Sequence, residues 1–354
     1  MRRFIYATLI ALMLVTPGCA KKPNRYQAEF ISLFDTVTTI VGYSESKEEF
    51  TSIVEEVKEK LTEYHQLFDI YNDYDGINNV KTINDNAGIA PVKVDEMIIS
   101  MLLFAEEQYH DSDGKINVAM GSVLGIWHDY RERGVSDPQN AELPPMELLA
   151  EAAKHTDIEG MLIDQEASTV YLTDPKMSLD VGAVAKGYAV EQAALYLEDQ
   201  GVDSFLISVG GNIRAVGGKP GGKIGSEIEP WNIGIKDPLE KDGNLEMCNV
   251  LIDGYSVVSS GTYERYYTVD GEIYHHIIDP STLMPAAHFT SVTIVCRDSG
   301  AADALSTAVF NMPLDTGREF IEGSDGVEAL WVLHDGEIIY SRGFRDFLKA
   351  DLVA

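Results

Sequence analysis

From residue 169 onward the chain is broken into short runs of strand composition, and this punctuation limits the fold more than any other feature. Residues 169–173, 204–209, 232–236, 265–269, 272–278, 291–296 and 329–334 are each rich in β-branched, aromatic or other apolar residues. Asp270-Gly271 and Asp335-Gly336 sit between paired apolar runs, where glycine tolerates the positive φ that two-residue hairpin turns require. Strands joined by hairpins run antiparallel. Helical spacing is also present: Phe50, Ile53, Val54, Val57, Leu61, Tyr64 and Phe68 recur at three- and four-residue intervals. A second helix is expected over 95–109, with Met97, Ile98, Met101, Leu102 and Ala105 on one face. A third starts at about 182–186, carries Val190, Ala193, Ala194 and Leu197, and ends near Gly201. Between the first two, 71–88 is rich in Asn, Asp and Gly and reads as a loop. The expectation is an α+β fold with a mainly antiparallel sheet and packed helices.

The N-terminus has a separate logic. Arg2 and Arg3 precede an apolar run over 4–15 that Thr16, Pro17, Gly18 and Cys19 close, the pattern of a secretory signal with a cysteine at the cleavage point. The run falls short of the roughly 20 apolar residues that span a bilayer. Small residues before Cys19 suit bacterial lipoprotein processing, with Thr16 where Leu is usual; an ordinary cleaved signal or an uncleaved anchor are the alternatives. The expected organisation is a lipoprotein signal peptide at 1–18, a polar tether at 19–28 beginning with a lipid-modified Cys19, and a folded domain at 29–354. That domain would be extracytoplasmic and lipid-anchored to the bacterial cell membrane. Only Cys248 and Cys296 remain, too few for a disulfide framework, and buried small hydrophobes are the better reading. With 57 acidic against 27 basic residues and a net charge of -30, a nucleic-acid partner would be repelled. An anionic ligand would need locally concentrated positive potential or a metal.

Four polar constellations stand out against this frame. Asp180 to Gly187 puts a carboxylate, small residues and Lys186 at the start of the third helix, where free N–H groups and the helix dipole favour an anion; a tight strand-to-helix turn would look the same. No Walker spacing is present. Gly210-Gly211 follows a strand, so it either lets backbone approach a ligand or simply turns, and no Rossmann fingerprint accompanies it. His275 and His276 fall on a strand and should point to opposite sheet faces, so one can enter a cleft, with Asp279-Pro280 setting a carboxylate nearby to orient it. Asp303 and Thr307, four apart on a small-residue helix, share a face and offer oxygen ligands of the kind magnesium takes. A capping Asp and a Thr bonded back to a carbonyl would be the structural alternative. Zinc-type His or Cys spacing occurs nowhere.

In order and spacing, the stretch Leu179 to Ala189, Gly210 to Ile213, Trp231 to Pro238, Ser260 to Tyr266, His276 to Pro280, and Ala302-Asp303 with Thr307 resembles the ApbE family of bacterial flavin transferases. The likeness runs from Phe34 to about Gly343. It implies a T-fold-like α+β architecture and a magnesium-dependent enzyme that moves the FMN part of FAD to a Thr or Ser hydroxyl of a target protein, releasing AMP. By the same likeness, Asp303, Thr307 and the Ala185 carbonyl would hold magnesium, His276 would be the catalytic histidine and Lys186 would assist. FAD would be met by Asp180, Lys186, Gly210, Gly211, Ser260, Gly261, His276, Ile278 and Trp127. Flavinylated redox subunits of membrane electron-transport complexes are the implied acceptor proteins. The chain departs from the family at Asn212, where Asp is common, at Thr262, where Asp is frequent, and at Leu283-Met284 in place of a Gly-aromatic pair. An FAD pyrophosphatase yielding FMN and AMP, or a non-catalytic flavin-binding lipoprotein, would use many of the same residues.

Overall fold

The computed structural model describes residues 23–221, 227–240 and 245–349. The expected signal peptide at 1–18 and Cys19 lie outside the described residues. No helix among the described residues is long and apolar enough to cross a membrane.

One eight-stranded sheet organises the molecule. Its order in space is Asn24–Leu33, Thr36–Ser44, Phe205–Val209, Asn212–Val216, Ser256–Gly261, Ser291–Cys296, Glu328–Val332 and Ile338–Tyr340. Every neighbouring pair is antiparallel, as the hairpin signals predict. Successive side chains alternate between two separate cores. Ile40, Val258, Ile294 and Trp331 pack beneath the helices Lys47–Phe68, Ala185–Asp199 and Ser299–Phe310. Val41, Val257, Val295 and Leu330 face a two-stranded ribbon, Trp231–Lys236 with Glu246–Ile252. Because both faces are covered, Ser291–Cys296 is buried at every position, which is why it reads as an unbroken apolar run.

A third, smaller core joins Met120, Val123, Trp127, Leu149, Tyr267 and Ile278. It binds the helix Gly121–Ser136 to the hairpin Tyr266–Val269 and Glu272–His275. That hairpin turns at Asp270-Gly271 with φ of 52° and 87°, the two-residue geometry the dipeptide predicts. Asp335-Gly336 differs: only Gly336 has positive φ, and the Leu333 amide bonds the Glu337 carbonyl. The loop is therefore three residues, 334–336, with glycine in its left-handed position.

Three other expectations need correction. The tether does not extend to 28, because the first strand starts at Asn24. Tyr26, Ala28 and Phe30 alternate inward against the core, leaving Arg25, Gln27 and Glu29 to solvent. Residues 71–88 are not all loop: Asn79 accepts the Thr82 amide while Thr82 Oγ1 accepts the Asn79 amide, and this capping box starts a short helix, Val80–Asp85. The strand expected over 272–278 stops at His275, since Ile277 pairs instead with the loop at Ala286.

Candidate active site

The helix Ser299–Phe310 lies between the helix Ala185–Asp199 and the strands Ser256–Gly261 and Ser291–Cys296, so small residues are needed on most of its surface. At the end of this stack is a cavity of about 550 Å³. Its wall draws on the turn at 34–36, the end of the first long helix, the helix Gly121–Ser136, residues 180–186, the strand end Ser259–Gly261, residues 274–278 and the helix Ser299–Phe310. Trp127, Asp180, Ala185, Lys186, Gly210, Ser260, Gly261, His276, Ile278, Asp303 and Thr307 all line it, so segments more than a hundred residues apart converge on one cavity.

Gly211 does not line the cavity. Val209 pairs with Asn212, and Gly210 and Gly211 form a two-residue turn with φ of 56° and 89°. Gly210 is pressed against Thr36, where an added Cβ would sit 2.7 Å from Oγ1, while the space around Gly211 is open. Of the two readings of this pair, turning explains Gly211.

Asp303 is buried to 4% exposure, and its Oδ2 accepts the Gly187 amide at 2.9 Å. Lys186 Nζ lies 3.2 and 3.3 Å from its two oxygens. The anion at the start of the helix Ala185–Asp199 is thus the protein's own carboxylate. The capping alternative is also half right: Asp303 caps a neighbouring helix, while Asp298 caps its own by accepting the Ala301 amide. Thr307 follows Asp303 by four residues on the same helix, and the Ala185 carbonyl belongs to the wall segment across from it. One carboxylate, one hydroxyl and one carbonyl are hard oxygen donors. They fit magnesium, which keeps several positions for water and phosphate oxygens. No group of three or more His, Cys, Asp or Glu side chains that could hold a metal exists among the described residues.

The two histidines divide the work differently from a simple alternation. His275 is core: its Nε2 donates to the Ala286 carbonyl at 2.9 Å, its Nδ1 accepts the Ile277 amide, and its ring meets Phe310 edge-on. Burial lowers its pKa. His276 follows the strand and opens on to the cavity. Both its backbone N–H, at 3.0 Å, and its Nδ1, at 3.2 Å, reach the Arg265 carbonyl. A carbonyl only accepts, so Nδ1 carries the proton and Nε2 keeps its lone pair. The His276 side chain is exposed to the open cavity, and the protein mass around it, with His275 and Arg265 adjacent, lowers its pKa below the ordinary imidazole value. Asp279 does not orient this ring. Its Oδ1 accepts the Ser281 amide and pairs with Lys115 Nζ at 3.2 Å, closing the turn that follows.

Asp180 accepts the Gly182 amide at 2.9 Å, and burial raises its pKa despite His128, Arg265 and Arg131 nearby. Ser260 bonds Ser306 Oγ at 2.8 Å, and Ser306 in turn donates to the Asp303 carbonyl, tying the strand end to the helix that carries Asp303. Trp127 donates to the Leu283 carbonyl at 2.9 Å and stacks on Tyr274, so Leu283, at a departure from the family pattern, holds the indole by backbone alone. Asn212, another departure, is buried with Nδ2 unpartnered among the described residues, as is Oδ1 of Asn311; both residues line the cavity. Buried polar atoms of this kind are costly until a ligand or water meets them.

Sequence reasoning named Trp127 but missed its neighbours on the opposite wall, Leu124, His128 and Arg131, and the cations Lys115 and Arg265. Leu124, Trp127, His128 and Arg131 recur at three- and four-residue spacing on one helix and all line the cavity. That spacing was the available signal, though His128 and Arg131 make the face polar. Arg131 Nη2 lies 2.8 Å from His128 Nδ1, and the His128 ring is 5.3 Å from Tyr71. Lys115 and Arg265 complete the set of wall cations with Lys186.

The ApbE family model matches residues 34–331. Two relatives, both named FAD:protein FMN transferase, are similar over most of the chain. The one from Klebsiella pneumoniae is 31% identical over 281 residues, 78% of this chain and 83% of that protein. The one from Treponema pallidum is 34% identical over 279 residues, 75% of this chain and 74% of that protein. Among solved structures, the ApbE protein of Thermotoga maritima superposes with a TM-score of 0.78 at 32% identity, covering 92% of this chain and all of that one. The apo form of the Pseudomonas stutzeri flavinyl transferase ApbE gives 0.75 at 25% identity, covering 94% and 99%. With this sheet order, this cavity and these matches, the chain belongs to the ApbE family.

Proposed function

We propose that this protein transfers the FMN moiety of FAD to a Thr or Ser hydroxyl of a target protein, with magnesium, releasing AMP. The observation that carries the reading is one cavity holding a neutral histidine with a free Nε2 beside the Asp303, Lys186 and Thr307 cluster. The names of the relatives support the same activity.

Asp303, Thr307 and the Ala185 carbonyl would hold the metal, which supplies charge neutralisation for the pyrophosphate and the departing AMP phosphate. Lys186, now paired with Asp303, adds a positive charge at the same place. The acceptor hydroxyl attacks the FMN-side phosphorus; a new P–O bond forms to the acceptor and the P–O bond to AMP breaks. The hydroxyl proton goes to Nε2 of His276, whose Nδ1–H is held by the Arg265 carbonyl so that the ring takes up charge without changing tautomer. Trp127, backed by Tyr274, offers an aromatic wall for the flavin or adenine ring. The acceptors we favour are redox subunits of membrane complexes, with this enzyme tethered beside them through Cys19 outside the cytoplasm.

The test is incubation with FAD, magnesium and a flavinylation-competent acceptor domain, reading covalent flavin by in-gel fluorescence and AMP by chromatography. Magnesium-dependent labelling that vanishes in Asp303→Ala and His276→Ala is expected. AMP without labelling would replace the reading with an FAD pyrophosphatase, and neither product with a flavin-binding lipoprotein.

A further inference from the structure

Behind the cavity a buried ion pair joins three elements, and neither member is a wall residue. Glu191, on the helix Ala185–Asp199, is 5% exposed, and Arg214, on the strand Asn212–Val216, is 4% exposed. Arg214 Nε lies 2.9 Å from Glu191 Oε2, and Nη2 lies 3.3 Å from Oε1. The same guanidinium bonds the Ala215 carbonyl through Nη1 and Glu198 through Nη2 at 3.0 Å. Taking two charges out of water costs more than an apolar pair of equal volume would, so stability alone does not account for them. Direction does. Glu191 Oε2 also accepts the amide of Ser299, the first residue of the helix Ser299–Phe310, at 2.7 Å.

Four residues before Glu191, the Gly187 amide donates to Asp303, which stands four residues after Ser299. The two helices therefore exchange carboxylates. Glu191 satisfies an orphan amide in the first turn of one, and Asp303 satisfies an orphan amide in the first turn of the other. The rungs 187–303 and 191–299 lie one helical turn apart and run in opposite directions. At the first rung the backbones nearly touch, because a Cβ on Gly187 would overlap the Ser299 carbonyl and the Asp303 Cβ. Two rungs fix both the separation and the register of the helices, which one rung cannot do. Arg214 anchors the second rung to the strand that begins at the cavity residue Asn212.

We propose that Glu191 is a positioning residue for the Asp303 carboxylate, setting its place through the Ser299 rung and the Arg214 anchor; this rests on the reading that Asp303 carries the metal. Partners that orient ligating groups without touching the metal typically change affinity or activity by about 10- to 100-fold when removed.

The experiment measures Mn²⁺ binding by electron paramagnetic resonance in the FAD-bound protein, thermal melting, and kcat and KM for labelling. Wild type is compared with Glu191→Gln, with the double variant Glu191→Leu/Arg214→Met and with Asp303→Ala. The double variant removes the rung but fills its volume with apolar side chains, which offsets part of the loss of the Ser299 amide's acceptor, so it should still melt cooperatively while binding Mn²⁺ about 10- to 100-fold more weakly. Glu191→Gln, which keeps an acceptor for the Ser299 amide, should fall between, with the loss in kcat larger than any change in KM for FAD. A folded double variant with wild-type Mn²⁺ affinity and kcat would overturn the proposal. If that variant does not melt cooperatively, Glu191→Gln decides, and wild-type values there overturn it equally. Wild-type protein binding Mn²⁺ no better than Asp303→Ala would instead overturn the metal reading, and the inference with it.

Discussion

Gly187→Ala tests the helix crossing directly, because two opposing effects have different sizes. Alanine is favoured over glycine within a helix by up to about 1 kcal/mol. The added Cβ would overlap the Ser299 carbonyl and the Asp303 Cβ, both on rigid helix rather than at the end of a flexible side chain. Overpacking of this kind costs about 1–3 kcal/mol. Parting the helices also stretches the 2.9 Å bond from the Gly187 amide to the Asp303 carboxylate, and bonds to charged groups contribute about 1.5–3 kcal/mol. The net expectation is a loss of about 2–4 kcal/mol. Gly125 is the control: it is helical, and an added Cβ there meets nothing within 4 Å, so Gly125→Ala should gain up to about 1 kcal/mol. Urea denaturation of both variants beside wild type gives the comparison, with midpoints moving in opposite directions. A Gly187→Ala midpoint equal to that of Gly125→Ala would refute the close crossing and the claim that it sets Asp303.

Further predictions concern the site and the N-terminus. With the His276 pKa held low, the imidazole stays neutral as pH falls through 6.5, so the acid limb of kcat/KM for labelling should lie well below 6.5; a limb at the ordinary histidine value would sink this account of the base. Trp127→Phe keeps an aromatic ring but loses the bond to the Leu283 carbonyl, so stability should drop by about 0.5–1.5 kcal/mol with KM for FAD raised more than kcat is lowered. An unchanged KM, measured by titrating FAD in the labelling assay, would remove Trp127 from the ligand's wall. Radiolabelled palmitate should enter the full chain expressed in a bacterial host and be lost in Cys19→Ser; labelling that persists would show that Cys19 is not the anchor.

Much of the sheet was legible because its strands obey local rules. Val269 and Glu272 flank Asp270-Gly271, and the residue types alone specify that hairpin. The same rules mislead where long-range pairing decides. Ile277 and Ile278 look like strand continuation, yet the Asp279 amide bonds the Met284 carbonyl and folds the chain back so that the Ala286 amide reaches Ile277. The polar stretch before residue 29 reads as tether because edge strands need charges on their exposed side, and Arg25, Gln27 and Glu29 satisfy either role. In the site, spacing and chemistry singled out Asp303 with Thr307 and the His275-His276 pair, and the family resemblance chose His276 between the two. What orients them was not legible, because the groups responsible are the Arg265 carbonyl and the Gly187 amide. Backbone atoms carry no residue signature.

The charge problem posed by the composition is resolved locally. A chain of net charge -30 must present a favourable field to a pyrophosphate if it is to bind one. Five carboxylates and four Lys or Arg line the cavity, so counting alone would give the wrong sign. The carboxylates are not equivalent. Asp69 is engaged by the Tyr71 and Asn72 amides, the Asn72 side chain and the Tyr74 hydroxyl. Asp303 is shared between the Gly187 amide and Lys186, and burial raises the Asp180 pKa, which disfavours its charged form. Against these, Arg131 and Arg265 each bring a guanidinium to the wall. The field a ligand meets is therefore set by which charges are already satisfied, and a cation between Asp303 and a phosphate would shift it further. This makes Asp303→Asn informative beyond loss of a ligand: it frees Lys186 from its partner, so FAD should still bind without magnesium while labelling is lost. If FAD binding measured by flavin fluorescence quenching collapsed together with labelling, Asp303 would be holding the cavity's shape rather than its charge.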